Sequence, residues 1–201
     1  MNLPGVYEIF LNEWKDLQTC WIISDTHFGE DDLKNGFSNR PSDDDLVKLI
    51  NSKVGKKDLL IILGDCGDIE YVKKLKGYKV LVAGNHDKGM NNYKDIFKMV
   101  FPGPVMIGEK LILSHEPVNI PWASNIHGHV HDLRHKNDDH HFNVCAEAIN
   151  YTPVNMNQWM KQGHLSHIET IHRATIDIAI ERSIKREEKK RNRYKRPYRK
   201  L

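Results

Sequence analysis

The stretch Thr19–Gly29, which reads Thr-Cys-Trp-Ile-Ile-Ser-Asp-Thr-His-Phe-Gly, sets the architecture of the rest of the chain. Its first six residues form a short, mostly apolar run that predicts one buried strand. A polar loop containing Asp25 and His27 follows at once. Because residues two apart at a strand end point to the same side, both side chains can reach one common site. The stretch therefore predicts a strand that presents two polar side chains at its carboxyl end.

The same pattern of apolar run and polar loop occurs twice more. Residues 58–63 predict a strand that runs into Gly-Asp-Cys-Gly-Asp at 64–68, and residues 79–83 predict one that runs into Gly-Asn-His-Asp at 84–87. Helices are predicted between them, one through Leu46 and Ile50 after N-cap candidates that start at Ser42, and one over residues 69–76. This alternation predicts parallel strands whose loops gather at one edge of a sheet.

The second half of the chain has short predicted strands without long helices between them. These strands are Val105–Ile107, Lys110–Leu113, Asn125–His127 and Phe142–Val144. The pattern predicts a second, mostly antiparallel sheet. Further on, Ser166 and Glu169 form a capping box for a helix that continues through Ile178 into a basic run. We expect the residues from about Asn192 onward to be disordered, because the apolar positions of the helix stop earlier.

Together these elements predict a single α/β domain over residues 1–165 and a C-terminal helix with a basic tail over residues 166–201. Within the domain we expect two facing β-sheets flanked by helices, with the site at the strand ends. The chain has 201 residues, which is enough for one such domain with a substantial core.

Composition excludes several other classes of protein. There are three cysteines without a Cys-x-x-Cys pair, which argues against a disulfide framework. No apolar run approaches the length of a membrane span, and the N-terminus lacks a signal-peptide pattern, so we expect a cytoplasmic protein. Histidine is enriched: eight of the 12 histidines lie between His86 and His141, which indicates a metal site.

Charge is divided along the chain. From Glu181 to Leu201 there are eleven basic and three acidic residues, a net charge of +8, whereas the rest of the chain has 19 basic and 24 acidic residues, a net charge of −5. Tyr194 and Tyr198 alternate with basic residues in this tail, a pattern that suits phosphate contacts and base stacking in nucleic acid. The same composition is also typical of a disordered, solubilising end, so both interpretations stay open.

Five polar loops offer seven candidate metal ligands: Asp25, His27, Asp65, Asn85, His115, His129 and His131. Carboxylate oxygen, imidazole nitrogen and one amide oxygen suit Mn²⁺, Fe²⁺, Zn²⁺ or Ni²⁺ better than a metal that prefers thiolate. Each loop alone is weak support for a metal site, but five such loops in one chain are strong support.

In content and order, this series of motifs resembles the calcineurin-like metallophosphoesterase superfamily. The motifs are Asp25-x-His27, Gly64-Asp65-x-x-Asp68, Gly84-Asn85-His86-Asp87, Ser114-His115 and Gly128-His129-x-His131. The chain is also similar to a group of small, stand-alone phosphoesterases in this superfamily, in which an Arg-Pro pair precedes the first helix, as Arg40-Pro41 does here, and an Asn-Val strand follows the last motif, as Asn143-Val144 does.

The resemblance implies a four-layer αββα sandwich and two divalent metal ions, with Mn²⁺ as the first choice. Asp25, His27 and His131 would hold one ion, Asn85, His115 and His129 the other, and Asp65 would bridge them. The ions would activate water and coordinate phosphate oxygens.

Three further residues receive roles from the resemblance. His86 would stabilise the transition state or protonate the leaving oxygen, and Asp87 would orient the His86 ring. Arg40 could bind the substrate phosphate through both terminal nitrogens, but a structural role at the start of the helix is an equal alternative.

The function implied is metal-dependent hydrolysis of phosphate esters, with small phosphodiesters or nucleotides favoured. One alternative is a nucleic-acid-processing enzyme recruited by the basic tail. A phosphoprotein phosphatase is disfavoured, because such enzymes have Glu at the position of Asp87 and an arginine after the position of Asp68, where this chain has Ile69. A non-catalytic scaffold is disfavoured because all the ligands and His86 are present.

Overall fold

The computed structural model describes residues 19–87, 93–107, 110–131, 138–164, 166 and 171–194. The predicted capping residue Glu169 and the tail from residue 195 lie outside the described residues.

The described strands, in chain order, are β1 (Cys20–Ile23), β2 (Leu59–Ile62), β3 (Tyr78–Val82), β4 (Met99–Phe101), β5 (Val105–Ile107), β6 (Leu111–Leu113), β7 (Ser124–His127), β8 (His141–Asn143) and β9 (Val154–Asn155). The described helices are α1 (Asp31–Gly36), α2 (Asp43–Lys53), α3 (Ile69–Lys74), α4 (Met156–Lys161) and α5 (Ile171–Tyr194).

The first sheet has the strand order β4-β3-β2-β1-β9. Its first four strands run parallel, with Ile22 beside Ile61 and Ile61 beside Val80, and β9 closes the edge antiparallel to β1. The predicted parallel pairing of β1, β2 and β3 is therefore confirmed. Because all three run the same way, the loops that follow them leave from the same edge.

The second sheet has the order β5-β6-β7-β8, and the prediction that it is mostly antiparallel is wrong. Only β5 and β6 pair antiparallel, whereas β6 with β7 and β7 with β8 are parallel. A parallel neighbour needs a connection that crosses back over the sheet, and the described residues between β6 and β7 and between β7 and β8 form no helix. The lack of helices between these strands was therefore a misleading signal.

The two sheets share one core. Alternate residues of β2 point to opposite faces: Leu59 and Ile61 pack in a cluster with Leu113 and Ile126 of the second sheet. Leu60 and Ile62 pack on the outer face, in a cluster with residues of α2 and α3. Burial of both faces explains the continuous apolar run of this strand. The predicted α/β arrangement of two sheets flanked by helices is confirmed.

Helix α2 begins where its sequence predicts. The hydroxyl of Ser42 accepts a hydrogen bond from the backbone N–H of Asp45 at 3.3 Å, which caps the first turn. Leu46, Val47 and Ile50 form its buried stripe. By its internal contacts the chain divides into two units, Met1–Ile168 and Glu169–Leu201. Helix α5 belongs to the second unit, and none of the described helices is both long and apolar enough to span a membrane.

Candidate metal centre

The site lies where five loops follow the carboxyl ends of parallel strands in both sheets. The loop after β1 supplies Asp25 and His27, and the loops after β2, β3, β6 and β7 supply Asp65, Asn85, His115, His129 and His131. The sheets meet beside this point, because Ser24 N–H donates to the Val144 carbonyl and Ala146 N–H donates to the Ser24 carbonyl, both at 2.9 Å. One edge of the molecule thus collects every predicted ligand.

The backbone at the site is tightly turned. Left-handed φ angles occur at five of the seven predicted ligands: Asp25 (56°), His27 (37°), Asp65 (50°), His129 (68°) and His131 (48°). Residues other than glycine adopt this region at a cost, and such residues cluster where geometry serves function.

At Gly128 the loop after β7 approaches the loop after β1 so closely that only glycine fits. A Cβ at this position would collide with Oγ of Ser24 and Oδ2 of Asp25. The loop after β7 can therefore lie against the loop after β1 only because position 128 has no side chain.

The first ligand group consists of Asp25, His27 and His131. Oδ1 of Asp25 lies 3.7 Å from Nε2 of His27 and 4.0 Å from Nε2 of His131. Asp25 and His27 are 0% and 3% exposed. Oδ1 of Asp25 and Nε2 of His27 have no hydrogen-bond partner among the described residues, although both atoms are buried. Buried polar atoms are nearly always satisfied, so these two atoms indicate a shared ligand such as a cation.

The second ligand group consists of Asn85, His115 and His129. Nε2 of His115 lies 2.9 Å from Oδ1 of Asn85 and 3.1 Å from Nδ1 of His129. These are close to the spacings between atoms that share one metal ion with bonds of about 2.1 Å. His115 is buried, whereas Asn85 and His129 are exposed. This group therefore opens toward solvent.

Asp65 lies between the two groups. Its Oδ2 is 3.6 Å from Nε2 of His27 and 3.3 Å from Nε2 of His115. Its Oδ1 accepts a hydrogen bond from the backbone N–H of His86 at 2.9 Å, which fixes the carboxylate. One carboxylate oxygen thus faces nitrogen ligands from both groups.

Three of the histidines are anchored through Nδ1. His27 contacts Oε2 of Glu30 at 2.9 Å, His115 contacts the Leu63 carbonyl at 2.9 Å, and His131 contacts Oε2 of Glu147 at 3.3 Å. An acceptor at Nδ1 holds the proton there and leaves the Nε2 lone pair free to bind a metal. All three Nε2 atoms face the carboxylates of the site, so the arrangement fits two cations.

The electrostatics of the site reflect this closeness of acids and imidazoles. Burial alone would raise the pKa of Asp25, but the neighbouring side chains of His27 and Ser24 lower it to about 2. Burial alone would lower the pKa of His115, but the carboxylates of Asp65 and Asp25 raise it to about 9. The pKa of His27 is also raised, against burial, by Asp25 and Glu30. A metal ion that bound these two histidines would have to displace protons from His27 and His115.

His86 lies at the solvent edge of the site. Its side chain is 52% exposed, its ring centroid is 5.1 Å from that of His27, and its Nδ1 is 3.8 Å from Oε1 of Glu30. A ligand atom of His86 also lies within 4.8 Å of ligand atoms of His27 and Asp65, so ligation is geometrically open to it.

Asp87 is buried and holds the loops after β2 and β3 together. Its carboxylate accepts from the backbone N–H groups of Asp65 and Gly84, both at 2.8 Å, and of Cys66 at 3.1 Å. The carboxylate found beside the ring of His86 is that of Glu30. The orienting role toward His86 stays a prediction for Asp87.

Arg40 is buried, and the protein itself occupies both of its terminal nitrogens. One donates to Glu147 and the other to the backbone carbonyl of Thr26. Its guanidinium carbon lies 5.9 Å from the centroid of the Tyr151 ring. These contacts favour the structural role, which the sequence had left open beside phosphate binding.

Glu30 and Glu147 were not found by sequence reasoning. A weak signal was present for Glu30, which follows His27 by three residues in a tight loop, a spacing from which a carboxylate reaches Nδ1. Glu147 has no local signal, because its contact with His131 depends on how β8 and the loop after it pack.

A cavity of about 300 Å³ adjoins the second ligand group. It is lined by Ala83, Gly84, Asn85, Pro102, Gly103, Pro104, His115, Glu116, Pro117 and Val118. Apart from Asn85, Glu116 and His115, these side chains are apolar or absent. The cavity therefore offers a largely uncharged wall next to the ligands.

Comparisons with known proteins agree with this geometry. The model of a family described as calcineurin-like phosphoesterase matches residues 19–188. The crystal structure of a protein of unknown function from Aquifex aeolicus is similar, with 26% sequence identity and a TM-score of 0.61 over 72% of this chain and 98% of that one.

A second solved structure, the Pseudomonas putida nuclease MPE, shows a weaker likeness. It has 21% identity and a TM-score of 0.42 over 56% of this chain and 61% of that one. A search of curated proteins found no match.

Proposed function

The chain belongs to the calcineurin-like phosphoesterase family, and on that premise we propose that it hydrolyses phosphodiester bonds in small molecules or nucleotides with two divalent metal ions. Mn²⁺ is the first choice for both ions, with Fe²⁺, Zn²⁺ and Ni²⁺ as alternatives, because the ligand atoms are carboxylate and amide oxygens and imidazole nitrogens. Metal-dependent hydrolysis of phosphate esters is the activity of the family as a whole.

The position of Asp65 carries this proposal. Its Oδ2 atom lies within 3.6 Å of a histidine nitrogen of the first ligand group and within 3.3 Å of one of the second. A carboxylate that served a single ion, or only stabilised the fold, would not need imidazoles on both sides. We assign the first ligand group to one ion, the second to the other, and Asp65 to both. When bound, such ions activate water and neutralise charge on phosphate oxygens.

His86 is our candidate for the proton donor to the leaving oxygen. Its ring is half-exposed at the edge of the site, while the carboxylate of Glu30 lies 3.8 Å from its Nδ1. A carboxylate on that side can orient the ring toward the site. The Asp87 carboxylate accepts a hydrogen bond from the backbone N–H of Asp65 and so fixes the loop that carries Asp65.

The cavity beside Asn85 and His115 supports a small substrate. Its volume of about 300 Å³ is at the lower end for ligand pockets and suits one nucleoside-sized or aryl group. Among the described residues that line it there is no lysine or arginine, and Glu116 is acidic. A neutral ester group of a diester fits this wall better than a further phosphate does.

Nucleic acid is the second candidate substrate, and one observation favours it. The exposed side chains of α5 include Arg182, Lys185, Arg186, Lys189 and Arg191. A basic helix that leads into a basic tail can attract a phosphate backbone at low salt. We also propose a cytoplasmic location, which the three buried, free cysteines support.

A substrate panel tests the proposed function. Purified protein is stripped of metal and assayed with Mn²⁺, Fe²⁺, Zn²⁺, Ni²⁺ or chelator, against a generic monoester, a generic diester, cyclic nucleotides and single-stranded oligonucleotides. We expect turnover only with metal, and a higher kcat/KM for small diesters than for monoesters or oligonucleotides. Equal hydrolysis of the diester in excess chelator would refute the metal-dependent mechanism, and a preference for oligonucleotides would favour the second candidate.

A further inference from the structure

Arg40 and Glu147 form a buried ion pair that connects two of the loops at the site. The Arg40 side chain is 0% exposed and that of Glu147 is 3% exposed. One terminal nitrogen of Arg40 donates to Oε1 of Glu147, and the other donates to the carbonyl of Thr26. The other oxygen of Glu147 lies 3.3 Å from Nδ1 of His131. Since Thr26 is in the middle of the loop after β1, the pair contacts both loops that supply the first ligand group.

A contribution to stability is a weak explanation for this pair. Two charged groups that are buried lose the free energy of their solvation by water. Their mutual attraction offsets this loss only when their remaining polar atoms are also hydrogen-bonded. Nε of Arg40 is buried and has no hydrogen-bond partner among the described residues. Two apolar side chains of similar volume would serve a purely structural position as well or better. The contacts of the pair with Thr26 and His131 are therefore the better guide to its role.

Glu30 provides an internal comparison. It accepts from Nδ1 of His27 at 2.9 Å, as Glu147 accepts from His131, and it is 36% exposed. Water can therefore solvate the charge of Glu30. The Glu147 side chain is almost completely buried, and a buried charged group is stabilised by a partner of opposite charge, here a cation. Arg40 supplies that cation and, with its second nitrogen, fixes the neighbouring loop.

We propose that Arg40 and Glu147 are a positioning pair for the first ligand group. Glu147 keeps the proton of His131 on Nδ1, so that Nε2 is free to bind an ion. Arg40 pairs with Glu147 and holds the loop around Thr26 beside His131. The inference rests on the two-metal centre of the proposed function, and it gives Arg40 a role toward the metal instead of the substrate phosphate.

The test compares Arg40→Gln and Glu147→Gln with the wild-type protein. Lys74→Gln is the control, because Lys74 pairs with Asp44 at the surface of α3. Mn²⁺ binding is measured by calorimetry. The values of kcat and KM are measured with a small diester at saturating Mn²⁺. The protonated nitrogen of His131 is identified by ¹⁵N NMR of the metal-free protein.

We expect each variant to bind one Mn²⁺ roughly 10- to 100-fold more weakly and the other as the wild type does. The KM for the diester should stay unchanged. In metal-free Glu147→Gln, the proton of His131 should no longer prefer Nδ1, an effect that a purely structural role would not produce. Lys74→Gln should match the wild type in every measurement.

The double variant Arg40→Gln/Glu147→Gln keeps the test decisive if a single variant fails to fold, since it leaves no unpaired buried charge. Because the two residues act as a unit, its loss of Mn²⁺ affinity should be about that of Glu147→Gln alone, not the product of two losses. Additive losses would overturn the pairing.

Two other results would also overturn the inference. One is a raised KM in Arg40→Gln with unchanged Mn²⁺ affinity, which would make Arg40 a substrate ligand. The other is a Glu147→Gln protein with wild-type Mn²⁺ affinity and an unchanged His131 proton. A wild-type protein that binds no Mn²⁺ would refute the two-metal proposal instead, and the position of the His131 proton would still show whether Glu147 orients the ring.

Discussion

The two ligand groups of the metal centre are held in different ways. In the first group Asp25 and His27 are buried, and carboxylates anchor both histidine rings. In the second group only His115 is buried, a backbone carbonyl anchors it, and the other two ligands are exposed. Carboxylate anchors make an imidazole a stronger ligand. We therefore expect the first group to hold its ion tightly and the second to face substrate and exchange its ion more readily.

The largest effect is expected where the two groups meet. Asp65→Asn removes a carboxylate that faces both groups, so it should lower the occupancy of both ions and reduce kcat by about 10³-fold. Kinetics and metal analysis by mass spectrometry measure the two effects. Asp68→Asn is a matched control, because Asp68 is exposed and caps α3. A normal kcat in Asp65→Asn would show that the reaction does not depend on a carboxylate shared by the two groups.

The next largest effect is expected at His86, which we place outside both groups. His86→Asn should keep both ions and lower kcat by about 10²- to 10⁴-fold, the usual loss when a positioned proton donor is removed. Metal content and kcat are measured on the same preparation. Loss of an ion from this variant would make His86 a ligand, which its closeness to His27 and Asp65 permits.

The difference between the groups can be measured directly by graded removal of metal. We expect dialysis against increasing chelator to remove the ion of the second group first, with the two dissociation constants at least about 10-fold apart. His129→Ala should keep the tight ion and lose the weak one, and His131→Ala should weaken the tight one. Simultaneous loss of both ions in every case would mean that the two groups assemble only as a unit.

The pH dependence of the metal-free protein provides a further test. The folded-state pKa of Asp25 is about 2 against a usual 3.8, so its contribution is present above about pH 4 and is lost as the pH falls toward 2. The pKa of His115 is about 9 against 6.5, so its contribution is present below pH 6.5 and is lost as the pH rises through 9.

We therefore expect the Tm of the metal-free protein to be highest between about pH 4 and pH 6.5. Added Mn²⁺ should raise the Tm most at the alkaline end, where it no longer competes with the proton of His115. Thermal melts across this range measure both effects. A metal-free Tm that rises between pH 6.5 and pH 9 would be inconsistent with the charge state assigned to this histidine.

The smallest effect is expected from the tail. Removal of Asn192–Leu201 takes away five basic side chains and no predicted ligand. Hydrolysis of a small diester should be almost unchanged. If nucleic acid is a partner, the salt dependence of single-strand binding should fall by roughly 0.7 per lost phosphate contact. Loss of diesterase activity on truncation would show that the metal centre depends on the tail.

The positions of the candidate ligands could be predicted because each one follows a strand with a recognisable apolar run. Ile22 and Ile61 sit side by side in parallel strands, so the loops that carry Asp25 and Asp65 must leave from the same edge. The structure brings together all seven candidate residues, but His115, His129 and His131 follow strands of the second sheet, whose directions the sequence did not predict, and they were assigned through their motifs. For Asp25, Asp65 and Asn85, local pattern and strand direction are sufficient, because these residues follow neighbouring parallel strands.

The anchors of the ligands could not be predicted in the same way. Arg40 and Glu147 are 107 positions apart, and nothing in the residues around either one indicates the other. The parallel pairing of β6 with β7 was missed for a related reason, since the returning loop has no regular pattern. Strand β9 has only two residues, too few for any periodicity. Contacts that depend on the packed fold leave little trace in a single sequence.

Diffraction from crystals soaked in Mn²⁺, with anomalous data collected near the manganese absorption edge, tests the two-metal centre most directly. We predict two anomalous peaks about 4 Å apart, with Asp65 in contact with both and one ligand group around each. A single peak, or two peaks of which Asp65 contacts only one, would contradict the account of a bridging carboxylate between a tightly held and an exposed ligand group.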